Sequence, residues 1–150
     1  MSLKEQLSSD LTQALRANDD TGKRTIRLLL SVIHNAEIEK SGALEESEVL
    51  GIIAKQVKQR RESAEEFRRG NRLDLVEREE AEAVVLQKYL PAALSREEIE
   101  AEARQAVAEV GAQGPRDMGK VMGLLTPKLR GRADGSEVSA IVRALLAEQG

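Results

Sequence analysis

The sequence predicts an all-α protein, and three observations carry that prediction. Apolar residues recur at three- and four-residue spacing along almost the whole chain, the period that lays a stripe along one side of a helix. No segment alternates apolar and polar residues with the period of two that a half-buried strand needs. Glycine, proline and capping residues fall mostly between the stripes, cutting the chain into seven helical pieces. Leu, Ile, Val and Phe make up 38 of the 150 residues, enough apolar material to fold.

Each element follows in order. Ser2 is placed to cap a first helix whose Leu3, Leu7, Leu11 and Leu15 share one stripe. Residues 18–22, Asn-Asp-Asp-Thr-Gly, read as a turn. The second helix carries Ile26, Leu29, Leu30 and Ile33, widened by Leu28 and Val32 enough to predict contact on two sides. Ser41-Gly42-Ala43 breaks the pattern before a third helix with Val49, Ile52, Ile53, Val57, Ala64 and Phe67, which Gly70-Asn71 ends. A fourth helix, from about residue 72 to 89, turns Leu73, Val76, Ala83 and Val84 inward.

Leu90-Pro91 stops it, because proline has no amide hydrogen and clashes with the preceding turn. Ser95 with Glu98 is a capping box, opening a fifth helix with Ile99, Ala103, Val107 and Val110. Residues 111–115, Gly-Ala-Gln-Gly-Pro, close it. The sixth starts near Arg116, aligns Met118, Val121, Met122 and Leu125, and is kinked or ended at Thr126-Pro127. Asp134 with Glu137 is a box-like start for the seventh, which presents Val138, Ile141, Val142, Leu145 and Leu146. The reading is two helical bundles, four helices over 1–91 and three over 94–150, with one continuous helical domain as the alternative.

Composition excludes much chemistry. Without Cys there is no disulfide, thiolate zinc, iron–sulfur cluster or thiol nucleophile, and one His makes no multi-histidine metal site. With 1% aromatic residues, no row of rings exists on which bases could stack. No apolar run is long enough to span a bilayer, and the start MSLKEQLSSD lacks a signal-peptide core, so a soluble cytoplasmic protein without a membrane partner is expected. No phosphate-binding Walker loop, Gly-x-Ser-x-Gly or nucleophile–base pair occurs, so neither catalytic residues nor a cofactor or metal are expected. His34 reads as a surface or packing residue.

The charges are unevenly placed behind a net −3. On the third helix Gln56, Arg60 and Ser63 fall within the arc of Val49, Ile53 and Phe67. On the fourth, Glu80 falls within the arc of Leu73, Val76 and Val84, which predicts a structural Arg60–Glu80 ion pair. Residues 55–72 carry seven bases and three acids, and residues 74–82 five acids and one base; the expected reading is a self-compensating face across neighbouring helices, with an RNA groove at 55–72 as the alternative. Residues 94–110 hold two bases and five acids, whereas 111–146 hold six bases and three acids. Those six are Arg116, Lys120, Lys128, Arg130, Arg132 and Arg143. Gly119 and Gly123, one turn apart beside Arg116 and Lys120, form a strip without side chains that admits either a phosphate backbone or another helix.

Several segments resemble the YqeY-like family of small bacterial proteins, the GatB/YqeY domain family. They are MSLKEQL at the start, residues 35–40 (NAEIEK), 55–63 (KQVKQRRES), 79–82 (EEAE), Tyr89-Leu90-Pro91, Leu94-Ser95, 117–123 (DMGKVMG) and 131–135 (GRADG). They run in order through nearly the whole chain. The resemblance implies a four-helix N-terminal part and a three-helix C-terminal part, the latter similar to the tail of the B subunit of the aspartyl/glutamyl-tRNA amidotransferase, a tail that helps hold the tRNA. By match, Gly119, Lys120, Gly123, Gly131, Arg132, Asp134 and Gly135 fall on the tail's motif positions.

The resemblance also brings a family label of carbon–nitrogen ligase activity with glutamine as amide donor. In the amidotransferase that chemistry belongs to a large catalytic domain and a second subunit, neither of which has a counterpart in 150 residues, so the label reads as inherited. The expected function is a non-catalytic accessory protein that binds tRNA, bare or aminoacylated, through Arg116, Gly119, Lys120, Gly123, Lys128, Arg130, Arg132 and Arg143. A helical adaptor for a protein partner is the alternative.

Overall fold

The computed structural model describes residues 1–149, and every regular element among them is helical. Seven α-helices follow in order: α1 (Leu3–Arg16), α2 (Asp20–Lys40), α3 (Glu46–Arg69), α4 (Leu73–Gln87), α5 (Arg96–Val110), α6 (Met118–Leu129) and α7 (Gly135–Gln149). A single 3-10 turn, Pro115–Asp117, leads into α6. The chain divides into two compact units, Met1–Leu90 and a second beginning at Pro91.

The capping chemistry is realised at both serines. Ser2 accepts from the Glu5 amide while Glu5 reaches back, and Ser95 and Glu98 do the same at α5. Asp19 caps α2 through the Gly22 amide at 3.0 Å, so α2 begins inside the stretch that reads as a turn. A Cβ at Gly22 would meet Asp19 Oδ2 at 2.4 Å, which is why glycine sits there. The true turns use left-handed residues: Asn18, Ser41 and Asn71 have φ of 54°, 59° and 57°. Pro127 does not end α6, which continues to Leu129.

The N-terminal unit buries Leu3 and Leu7 of α1, Ile26, Leu29 and Ile33 of α2, Val49, Ile53 and Val57 of α3, and Leu86 of α4. Four residues read as apolar facing are exposed instead: Leu15, Leu28, Leu73 and Val84. On α4 the buried stripe is Val76, Ala83 and Leu86, with Glu79 half-buried beside it. Tyr89 reaches back to Asp10 through its hydroxyl at 2.5 Å, and burial together with that carboxylate raises the phenol's pKa. The C-terminal unit packs α5, α6 and α7 around Ile99, Ala103, Val121, Leu125, Val142 and Leu146. Its connections are tight: Gly111 ends α5 at φ 66°, Gly131 turns at φ 78°, and the Leu94 amide donates to the Arg132 carbonyl at 2.8 Å.

Candidate nucleic-acid interface

Several cations of the N-terminal unit are tied up. Antiparallel α3 and α4, joined by Gly70-Asn71, set the basic block against the acidic one. Arg60 bonds through Nη1 to Glu82 at 3.0 Å and Glu79 at 3.3 Å. Arg68 pairs with Glu80 at 2.5 Å and with Glu65, Arg72 pairs with Asp74, and Arg61 donates to Gln87. The expected Arg60–Glu80 pair is therefore corrected: Arg60 takes Glu82 and Glu79, while Glu80 lies exposed and holds Arg68. The arc that placed Glu80 inward ran through Leu73 and Val84, each 60% exposed; the buried face lies on the other side of Val76.

Sequence reasoning missed the hub of this network. Glu82 is 3% exposed and accepts from Arg24 of α2 and Arg60 of α3, both at 3.0 Å, with Arg78 one turn before it at 3.5 Å. A carboxylate so deep is tolerable only because several guanidiniums surround it. The available signal was its position beside Glu79, Ala83 and Leu86 on one side of α4.

The C-terminal unit differs. Of its proposed contact cations, only Lys120 has an ion-pair partner among the described residues, Asp117 at 3.8 Å. Arg116, Lys128, Arg132 and Arg143 are exposed and Arg130 is half-buried. Gly119 and Gly123 are exposed too, and a Cβ added at either meets nothing within 4 Å, so close packing inside the unit is not their role. Pro127 has no N–H to bond the Gly123 carbonyl in the helical ladder, which leaves an acceptor on the same strip.

These residues form two groups along α6. Gly119, Lys120 and Gly123 share its outward side, with Arg116 in the turn just before them. Lys128 lies about 140° around the helix from Gly123, at about 100° per residue, and groups instead with the turn holding Arg130 and Arg132. Arg143 stands apart on α7. Asp134 Oδ1 accepts from the Ser136 amide and hydroxyl, both at 3.0 Å, so the start of α7 is already capped. Glu98 has its pKa lowered, first by the Ser95 backbone and side-chain hydrogen bonds and more weakly by the Arg132 charge.

His34 is exposed on α2. No group of three His, Cys, Asp or Glu that could hold a metal occurs among the described residues. No helix there is long and apolar enough to cross a membrane.

Comparison with known proteins follows from this geometry. The family model for YqeY-like proteins matches residues 4–146. The chain is 42% identical over 113 residues to "Altered inheritance of mitochondria protein 41, mitochondrial" of Lachancea thermotolerans, covering 73% of this chain and 60% of that protein. It is 35% identical over 135 residues to the protein of the same name from Pyrenophora tritici-repentis, covering 88% and 74%. The Kluyveromyces lactis protein of that name is 40% identical over 113 residues, covering 73% and 60%. The chain thus spans about 60% of the length of two of these three relatives.

Proposed function

The chain belongs to the YqeY-like protein family, and from that premise we propose that it is a tRNA-binding accessory protein without catalysis of its own. In this reading the four helices of 1–91 and the three of 94–150 are separate domains, the second similar to the amidotransferase tail, and tRNA, bare or aminoacylated, lies on the second. The observation that carries it is the contrast in pairing: Arg24, Arg60, Arg68 and Arg72 of the N-terminal unit are held by acids, whereas Arg116, Lys128, Arg132 and Arg143 are exposed with no ion pair among the described residues and Lys120 has only Asp117 at 3.8 Å.

Arg116, Lys120, Lys128, Arg130, Arg132 and Arg143 supply phosphate contacts, and the bare strip at Gly119 and Gly123 lets the ribose–phosphate backbone come close. The Gly123 carbonyl offers an acceptor to a ribose 2′-hydroxyl, the group that distinguishes RNA from DNA. With no aromatic platform, recognition is by shape and charge. The names of the relatives carry the word mitochondrial. For this chain we propose a cytoplasmic location.

Titration of labelled tRNA at two salt concentrations tests the reading. Three or four of these contacts made at one time give a slope of log affinity against log salt of roughly −2 to −4, at about 0.7–0.9 per contact. Binding that is unchanged by Lys128→Ala with Arg132→Ala excludes this surface. The second reading, a helical adaptor, draws on the same open Gly119–Gly123 strip, which would seat a partner helix. It predicts a protein partner recovered from cells that survives nuclease. Carbon–nitrogen ligase activity would show as amide formed from glutamine, ATP and mischarged tRNA by the isolated protein; none is expected.

A further inference from the structure

The RNA-binding reading leaves unused a cleft of about 450 Å³ in the N-terminal unit. Leu28 of α2 forms one wall, and Gln56, Gln59, Arg60, Glu62, Ser63 and Glu66 of α3 form the other. Reckoned at about 100° per residue, Arg60 lies nearest the buried stripe of α3, then Gln56 and Ser63, then Gln59 and Glu66, with Glu62 outermost. Burial follows that order: Arg60, Gln56 and Ser63 are half-buried, and Gln59, Glu62 and Glu66 are exposed. The wall is therefore graded, with a guanidinium at the floor, amides and a hydroxyl midway, and carboxylates at the rim.

Among the described residues, Arg60 is the one cation lining the cleft. Arg60 belongs to a group in which Arg24, Arg60 and Arg78 face only Glu79 and Glu82. Those acids engage Nη1 of Arg60, and its Nε is buried with no hydrogen-bond partner. An anionic group is favoured there and a cationic group at the rim, with polar atoms between to meet Gln56, Gln59 and Ser63. A simple anion meets repulsion from Glu62 and Glu66, and a polyamine meets the Arg60 guanidinium. Arg60 and Glu66 are six residues apart, about 9 Å along the helix axis. A free α-amino acid carries both charges on one carbon, whereas two extended residues span about 7 Å, closer to the Arg60–Glu66 separation. The cleft volume falls within the usual range for small-molecule sites, roughly 300–1,000 Å³.

We propose that this cleft binds a zwitterionic dipeptide, its carboxylate toward Arg60, its ammonium at Glu62 and Glu66, its peptide group against Gln56, Gln59 and Ser63, and an apolar side chain on Leu28. The test is an NMR titration of the full ¹⁵N-labelled chain with glycyl-leucine, N-acetyl-glycyl-leucine and glycyl-leucinamide. Saturable shifts at residues 56–66 and Leu28 are expected for glycyl-leucine, with each capped form at least about tenfold weaker, the loss of one charge-assisted hydrogen bond. In the double variant Glu62→Gln, Glu66→Gln, both at exposed positions, glycyl-leucine should bind no better than its N-acetyl form while the melting temperature stays put. Equal binding of all three probes, preference for either capped form, shifts centred elsewhere or shifts that never saturate each overturn the proposal.

Discussion

The two units handle positive charge in opposite ways. In the N-terminal unit the α3–α4 hairpin lays a basic block against an acidic one, and Arg24, Arg60, Arg68 and Arg72 are bonded to carboxylates. In the C-terminal unit the acidic helix α5 spends its carboxylates locally, Glu98 on the Ser95 cap and Glu100 on Arg96. The cations of α6 and the turn after it are not drawn into that pairing. The lesson is that a local excess of Lys and Arg does not by itself leave charge unpaired; whether an acid stands across the helix pair decides that.

Four measurements can break or sharpen this contrast. The largest effect is expected at Glu82, whose removal leaves three guanidiniums around an empty position. Glu82→Gln should cost about 3 kcal/mol in urea unfolding, while Glu80→Gln, at an exposed pair, should cost under about 1 kcal/mol. Neither should alter tRNA affinity, and a loss of affinity in folded Glu82→Gln protein would dissolve the division of labour. Next, Lys120→Ala with Arg132→Ala should weaken tRNA binding about tenfold and flatten the salt slope by roughly 1.5, with little change in stability.

Gly119→Ala separates binding from folding. The added methyl meets nothing and the helix gains propensity, so thermal unfolding should show a stabilisation of about 0.5–1 kcal/mol. Binding should fall, because the strip is no longer bare. Destabilisation there would mean that the glycine serves packing after all. The smallest effect concerns acid. The Glu98 pKa is lowered below 4.5 by its bonds to Ser95, so its contribution to stability is present above about pH 4.5 and is lost as the pH falls through the folded-state value. Glu98→Gln should flatten the fall in melting temperature below pH 4.5 and leave the cations of α6 unaffected.

Much of the molecule was legible because it is locally encoded. The serine caps, the Gly70-Asn71 break, the stop at Leu90-Pro91 and the stripe of α7 each follow from a few adjacent residues. What misled were positions where a stripe is wider than the face that packs. Leu73 and Val84 lie on the apolar side of α4 as a wheel draws it, yet they are exposed, because α3 and α2 approach from the side of Ala83 and Leu86. That rotation moved the buried acid from Glu80 to Glu82. Pro127 does not stop α6 for a different reason: a proline near a helix end deprives only one carbonyl, and α6 carries the cost at exposed Gly123.

The sequence by itself determined the helical class, the order and approximate limits of the helices, the opposed charge blocks, and the lack of thiols and rings that confines recognition to shape and charge. Those properties depend on composition and on spacing within a turn or two. Only the tertiary structure decided which carboxylate Arg60 meets, that Glu82 gathers arginines from three helices, and that Gly119 and Gly123 face open space. A helix can rotate by a few tens of degrees about its axis without changing its own hydrogen bonds, and that rotation, set by the packing of its neighbours, chooses which charges are paired and which remain for a partner.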